Sequence, residues 1–160
     1  MSDELSNAVV DTVKYYLTRI EHILKLLSQN KDHQQLLEVK LADDMLDTGL
    51  NFAIAIKFAA RTLCPPAKLD IPEIPDDRNC TSLLAYLSEI KAIIDPIQKE
   101  QLTAPVAHIA GEGKLEQDAS DYITKFGFPN MIFHLTMAYA GLRHAGFNIG
   151  KADFDGLHVY

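Results

Sequence analysis

A chain of 160 residues, 48% apolar and 23% charged, has the size and composition of a soluble globular domain with a real core, and residues 1–160 are read as that single domain. Its formal net charge of −7 and pI near 5.2 exclude a nucleic-acid binder, because phosphate recognition needs clustered Lys and Arg and no local basic run supplies them. The most apolar run, residues 50–60, is interrupted by Lys57 and is far shorter than the roughly 20 residues of a membrane helix, so no membrane partner is expected.

The N-terminus, MSDELSNAVV, is acidic and polar, unlike a signal peptide. The two cysteines, Cys64 and Cys80, form no disulfide framework and read as reduced thiols, which places the protein in the cytoplasm.

The spacing predicts a first helix over residues 3–28, capped by Ser2, with Asp3 and Glu4 at the positive end of the dipole. Val9, Val13, Tyr16, Ile20, Ile23 and Leu27 alternate steps of four and three, the pattern of a bundle seam. Gln29-Asn30-Lys31-Asp32 breaks the pattern, and residues 33–40 add at most a turn.

A second helix is expected over 42–63, capped by Asp43 or Asp44 and stopped by Pro65-Pro66. It is apolar over more than half its circumference, with Leu46, Leu50, Ala53, Ile56 and Ala60 at the centre, so it should be buried on two sides. Lys57 projects close to the Leu46–Leu50 line. It either snorkels, its stem packed and its amine in water, or meets a buried carboxylate. Residues 64–80 hold four of the seven prolines and form a stiff connection that can cross the end of a bundle.

A third helix begins at a Thr81 or Ser82 cap and runs to 94, with Leu84, Leu87, Ile90 or Lys91, Ile94 and Ile97 marking its face. Asp95-Pro96 then interrupts it before a fresh short turn through Gln101. Residues 102–118 lose helical periodicity. VAHIA, GEG and KLEQ read as a small hairpin or flap with glycines in the turn.

Asp118 or Ser120 opens the last helical region, whose main helix spans 129–145. Pro129 splits or starts it and Gly146 caps its end. The tail from Phe147 has too little periodicity to assign. Four main helices with short or stiff connections make an all-α bundle.

The one chemically suggestive pair lies in that last helix. Met131, Leu135, Ala138 and Leu142 fall within about 60° of one another at 100° per residue. His134 sits at the edge of their stripe, with Asn130 one turn before it. Bundle metal sites are built from such inward side chains, yet an amide is a poor ligand for zinc or nickel. A hydrogen-bonded histidine at the edge of the core accounts for the same spacing.

His144 points away, and His22, His33, His108 and His158 form no ligand spacing. GEGK at 111–114 fails the phosphate-loop pattern, no serine sits in a nucleophile elbow, neither cysteine has a catalytic context, and Asp43-Asp44 reads as a cap.

The segment FPNMIFHLTMAYAGLRHAGFNIGKADFDG at 128–156, with LADDM at 41–45 before a long apolar helix, resembles an uncharacterised bacterial family of unknown function within the DinB/YfiT-like superfamily. The resemblance implies an up-down-down-up four-helix bundle with a proline-rich crossover and a hairpin or flap before the last helix, commonly assembled as a dimer. Many members resemble metal-dependent thiol transferases or hydrolases. Their zinc or nickel is held by one histidine of the second helix and two histidines four apart in the last.

By that resemblance His134 occupies the second of the paired positions, Asn130 the first, and Asn51 the position on the second helix, although the helical wheel puts Asn51 on a polar flank. Two of three ligands are replaced, so no tightly bound metal is expected.

The reading that results is a protein that binds a small ligand at a remnant of the metal site. His134, Asn130 and Asn51 surround the ligand, and Lys57 supplies charge. Alternatives are a divalent-metal enzyme of the DinB/YfiT type, with His134 as ligand, and a structural or self-associating protein. A homodimer is expected through the second helix, along Phe52, Ile56 and Ala59.

Overall fold

The computed structural model describes the chain from residue 3, with side chains from residue 7. The expected Ser2 cap and the Asp3 and Glu4 side chains lie outside the described residues.

Helix α1, Asp3–Ser28, buries Val10, Val13, Leu17, Ile20, Ile23, Leu24 and Leu27. The expected seam is therefore rotated, with Val9 and Tyr16 only half-buried. The cause is the number of neighbours. This helix packs on three others, so its apolar stripe is wider than one seam, and Tyr16 at its edge packs against Phe128 and Phe154 instead. After one short turn, α2 (His33–Leu37), comes α3, Thr48–Leu63.

Helix α3 starts six residues later than the sequence suggests, and residues 43 and 44 are exposed loop rather than cap. The reason is local. Asp47 takes the cap, its Oδ1 accepting the Leu50 N–H at 2.7 Å, while Thr48 N–H and Oγ1 both donate to the Val39 carbonyl. Leu46, expected at the centre of the buried face, lies before the helix and is 43% exposed.

The proline-rich connection leads to α4, Cys80–Ile94, capped by Asn79 through the Ser82 N–H at 2.9 Å, so the cap precedes the expected Thr81 or Ser82. The chain breaks at Asp95-Pro96 and turns once over Lys99–Gln101. Strands β1 (Val106–Ala110) and β2 (Gly113–Gln117) form the antiparallel hairpin, with Val106 opposite Gln117 and His108 opposite Leu115.

Asp118 then caps a single turn, α5 (Ala119–Asp121). A widened π-turn over Tyr122–Gly127 leads into α6, Phe128–His144. Pro129 has no N–H for the normal ladder, and the Phe128 N–H reaches back five residues to Ile123 instead.

Gly146, at φ +84°, ends α6. Its N–H bonds the Arg143 carbonyl and the Phe147 N–H bonds the Leu142 carbonyl, a Schellman closure. The tail folds into α7, Lys151–Asp155, which lies against α1.

The molecule is thus mostly helical with one two-stranded hairpin, and α3 is its centre. It packs against α6, α4 and α1. Phe52, Ile56 and Ala59, expected to face a second copy, are all fully buried within the chain. The α3 surplus of apolar surface is covered intramolecularly, which removes the argument that placed a dimer there.

Candidate functional site at the α3–α6 seam

Two close approaches draw α3 and α6 together. A Cβ on Gly127 would lie 2.9 Å from the Thr62 Cα, and one on Gly141 would lie 2.2 Å from the Thr48 Oγ1. Small residues at both ends let the helices meet closely, and the pairs 48 with 141 and 62 with 127 make them antiparallel. Met131, Leu135, Ala138 and Leu142 fill the seam as the stripe implies, each fully buried. His134 stands at the edge of that stripe, half-buried.

Its partner is Asn51, from the opposite helix. Nδ1 of His134 lies 2.9 Å from Oδ1 of Asn51. The Asn51 amide nitrogen donates to the Leu46 and Asp47 carbonyls at 3.2 and 2.9 Å, which fixes the amide with its oxygen toward the ring. An amide oxygen only accepts, so Nδ1 carries the proton and Nε2 carries the lone pair. Asn51 is 5% exposed, not on a polar flank. The helical wheel missed it because Asn51 serves both the start of its own helix and the ring across the seam.

Nε2 has no hydrogen-bond partner among the described residues. Burial pushes the His134 pKa below its ordinary 6.5, favouring the neutral ring. The ring stacks on Phe58, centroids 5.9 Å apart and planes 14° off parallel, and meets the edge of Phe133, which is 54% exposed. The site therefore offers one oriented hydrogen-bond acceptor beside the exposed Phe133 ring, while Phe58 backs the imidazole from within the core.

The other expected site residues lie differently. Asn130 turns back on its own helix, its amide donating to the Phe126 carbonyl at 2.8 Å, where it supports the π-turn rather than touching His134. Lys57 pairs with Glu73 of the proline-rich connection at 2.6 Å. Its side chain is 23% exposed, the snorkelling arrangement, and its partner carboxylate is at the surface.

Sequence reasoning did not single out Phe58, Arg61, Phe126 or His108. The Arg61 guanidinium carbon lies 4.7 Å from the Phe58 centroid and 5.3 Å from that of Phe126. His108, from the hairpin, packs on Phe126 at 4.2 Å and on Tyr122 at 5.0 Å. The signal available in the sequence was the i, i+3 pair Phe58–Arg61, which an apolar helix hides among its many core residues.

Residues 5–155 match the family described as a domain of unknown function, DUF1993. The chain belongs to that family. A crystal structure of a DinB family member protein from Shewanella denitrificans is similar over 98% of this chain and 94% of that one, with a TM-score of 0.81 and 19% identity. At that identity the likeness shows a shared fold and nothing of activity. No curated protein matches the chain.

The metal that the DinB/YfiT resemblance implies does not suit the residues of this DUF1993 chain. Beside His134 the donors are two amides. Asn51 already gives its oxygen to Nδ1–H and both amide hydrogens to carbonyls, and Asn130 is committed to Phe126. No group of three His, Cys, Asp or Glu side chains converges among the described residues. One imidazole and two neutral amide oxygens are a weak set for zinc or nickel.

Proposed function

We propose that this protein binds a small organic molecule at the α3–α6 seam, where a hydrogen-bond donor on the ligand meets Nε2 of His134. The observation that carries the reading is the Asn51–His134 bond, which fixes the tautomer and leaves Nε2 as a neutral acceptor. Asn51 holds the ring, the exposed Phe133 supplies apolar surface beside it, and Asn130 supports the turn into α6. In this reading Asn51 has become a positioning residue where the superfamily places a ligand, and tight zinc or nickel binding has been given up. Lys57 is left out, because Glu73 engages its amine.

Proton–nitrogen correlation spectra recorded against a panel of small phenols, alcohols and amides test this. Perturbations centred on the His134 ring, and lost in His134→Gln, are the expected result. A panel in which no member perturbs that ring, or in which the perturbations survive His134→Gln, contradicts it.

The antiparallel α3–α6 seam and the fold likeness support an up-down-down-up order for the four long helices. Two free buried thiols, with Cys64 pushed up to about 11 by burial, support a reducing, cytoplasmic setting. No helix among the described residues is long and apolar enough to cross a membrane. The assembly that the superfamily resemblance supports is a two-fold dimer, on a surface other than the covered flank of α3.

A further inference from the structure

Strand β1 is the strand of the hairpin anchored to the body. Val106 is buried against Tyr122 and Ile123, and the Ala104 N–H just before it bonds the Pro66 carbonyl at 3.0 Å. In β2, by contrast, every residue from Gly113 to Glu116 is exposed, with Leu115 at 45%. That burial leaves β2 as the outer strand, with an unpaired edge. Among the described residues neither the Lys114 nor the Glu116 side chain has a hydrogen bond or an ion pair.

The turn fixes which backbone groups that edge presents. Gly111, at φ +60°, is the first of two loop residues, and Ala110 pairs with Gly113 across them. A tight turn bonds its first carbonyl to its fourth N–H, so Ala110 and Gly113 are a hydrogen-bonded pair. Bonded and open pairs alternate along an antiparallel ladder. Leu115 is therefore bonded to His108, while the N–H and C=O of Lys114 and Glu116 point away from β1.

We propose that β2 pairs with β2 of a second copy, antiparallel about a two-fold axis at Leu115, to make a four-stranded sheet across a dimer. The surface rests on the two-fold assembly proposed above and is independent of the His134 reading. Leu115 is the middle residue of β2, so an axis there overlaps the two strands along their whole length. It sets the outward groups of Lys114 against those of Glu116 of the second copy, which can exchange both backbone bonds. Their side chains then meet as opposite charges, and the exposed Leu115 meets its own copy. Moving the axis one residue, to Lys114 or to Glu116, sets like charges face to face. Charged residues on an edge ordinarily discourage pairing. Here their order discourages the slipped registers and favours one. Strands of five residues fall short of the roughly 1,200 Å² of a stable interface, so the dimer is weak and forms at high concentration.

Sedimentation equilibrium of the full chain from micromolar to millimolar concentration tests this. The average mass should rise above 17.8 kDa with concentration. Lys114→Glu and Glu116→Lys each put like charges into both facing pairs, and each alone should weaken the dimer about tenfold or more. An equimolar mixture of the two variants restores opposite charges in both pairs and should associate as the unmodified chain does. The Lys114 and Glu116 N–H groups, which β1 does not cover, should gain protection from hydrogen exchange as the dimer forms.

A mass of 17.8 kDa at every concentration overturns the inference and the two-fold assembly with it. A dimer that neither variant weakens, or one that forms without protecting those two N–H groups, overturns the β2 pairing and leaves the assembly on another surface. A mixture no better associated than its components overturns the register and with it the inference.

Discussion

At the residue scale, the molecule turns on how Asn51 divides its amide. Its nitrogen closes the start of α3 on two carbonyls and its oxygen takes the His134 proton, so one side chain ties a helix terminus to the candidate site. Because burial lowers the His134 pKa, the unfolded chain binds a proton at this group more readily than the folded one. The contribution is therefore fully present above the ordinary 6.5 and declines as the pH falls through the interval between that value and the lowered one. NMR titration of the ring should give a midpoint below 6.5, and a midpoint above it would contradict the neutral-ring account. Asn51→Ala leaves a half-buried N–H and two carbonyls without their partner and should cost about 1–3 kcal/mol, read from urea unfolding. The sequence showed His134 at the edge of the core stripe, and only the resemblance brought Asn51 near it. The sequence could not show the bond between them, since that depends on the rotation of α3 and on an amide whose first duty is to its own helix.

At the element scale, the α3–α6 seam and the docking of α7 make separate, testable demands. Gly127→Ala drives a methyl against the Thr62 backbone, which cannot swing aside as a side chain can, and should destabilise the protein by about 1–3 kcal/mol in thermal or urea unfolding. A neutral outcome would contradict the close approach of Gly127 to the Thr62 backbone.

Helix α7 is held to α1 by the Tyr15 hydroxyl on the Asp155 carbonyl, by Arg19 on the Asp153 carbonyl at 2.8 Å, and by His22 with the Asp153 carboxylate at 2.9 Å. Burial raises the Asp153 pKa, but the His22 and Gly150 hydrogen bonds and the charges of His22 and Arg19 outweigh it and leave it lowered. Its contribution is thus present above the ordinary 3.8 and lost as the pH falls through the lowered value. Asp153→Asn should speed hydrogen exchange in α7 while the α3 amides stay protected, and equal protection in both forms would contradict the latch.

The long helices were legible because their periodicity runs over several turns. The hairpin was legible from its glycines, and the end of α6 from Gly146. Helix α7 was not, because five residues are too few to show a period and its stability comes from partners on α1. The late start of α3 was hidden for a related reason, since three acidic residues within 43–47 compete for one cap and the Val39 contact chooses between them.

At the scale of the whole molecule, α3 is a central helix enclosed by three others, which an apolar circumference suggests but does not distinguish from a helix half-covered by a second copy. The two accounts part at Ile56. A glutamate there would be an unpaired charge in a fully closed core, and Ile56→Glu should unfold the chain at a cost of about 3 kcal/mol or more. A folded, monomeric Ile56→Glu protein would instead place that side chain at a surface.

The central claim is that Asn51 holds His134 as a neutral imidazole whose Nε2 meets an organic ligand, in place of the metal that the DinB/YfiT resemblance implies. Long-range proton–nitrogen NMR of the His134 ring at neutral pH, before and after one equivalent of zinc, tests it most directly. The account predicts the neutral tautomer protonated at Nδ1, with Nε2 unprotonated and both resonances unmoved by zinc. A ring protonated at Nε2, an imidazolium, or a stoichiometric zinc-induced shift at Nε2 would contradict it.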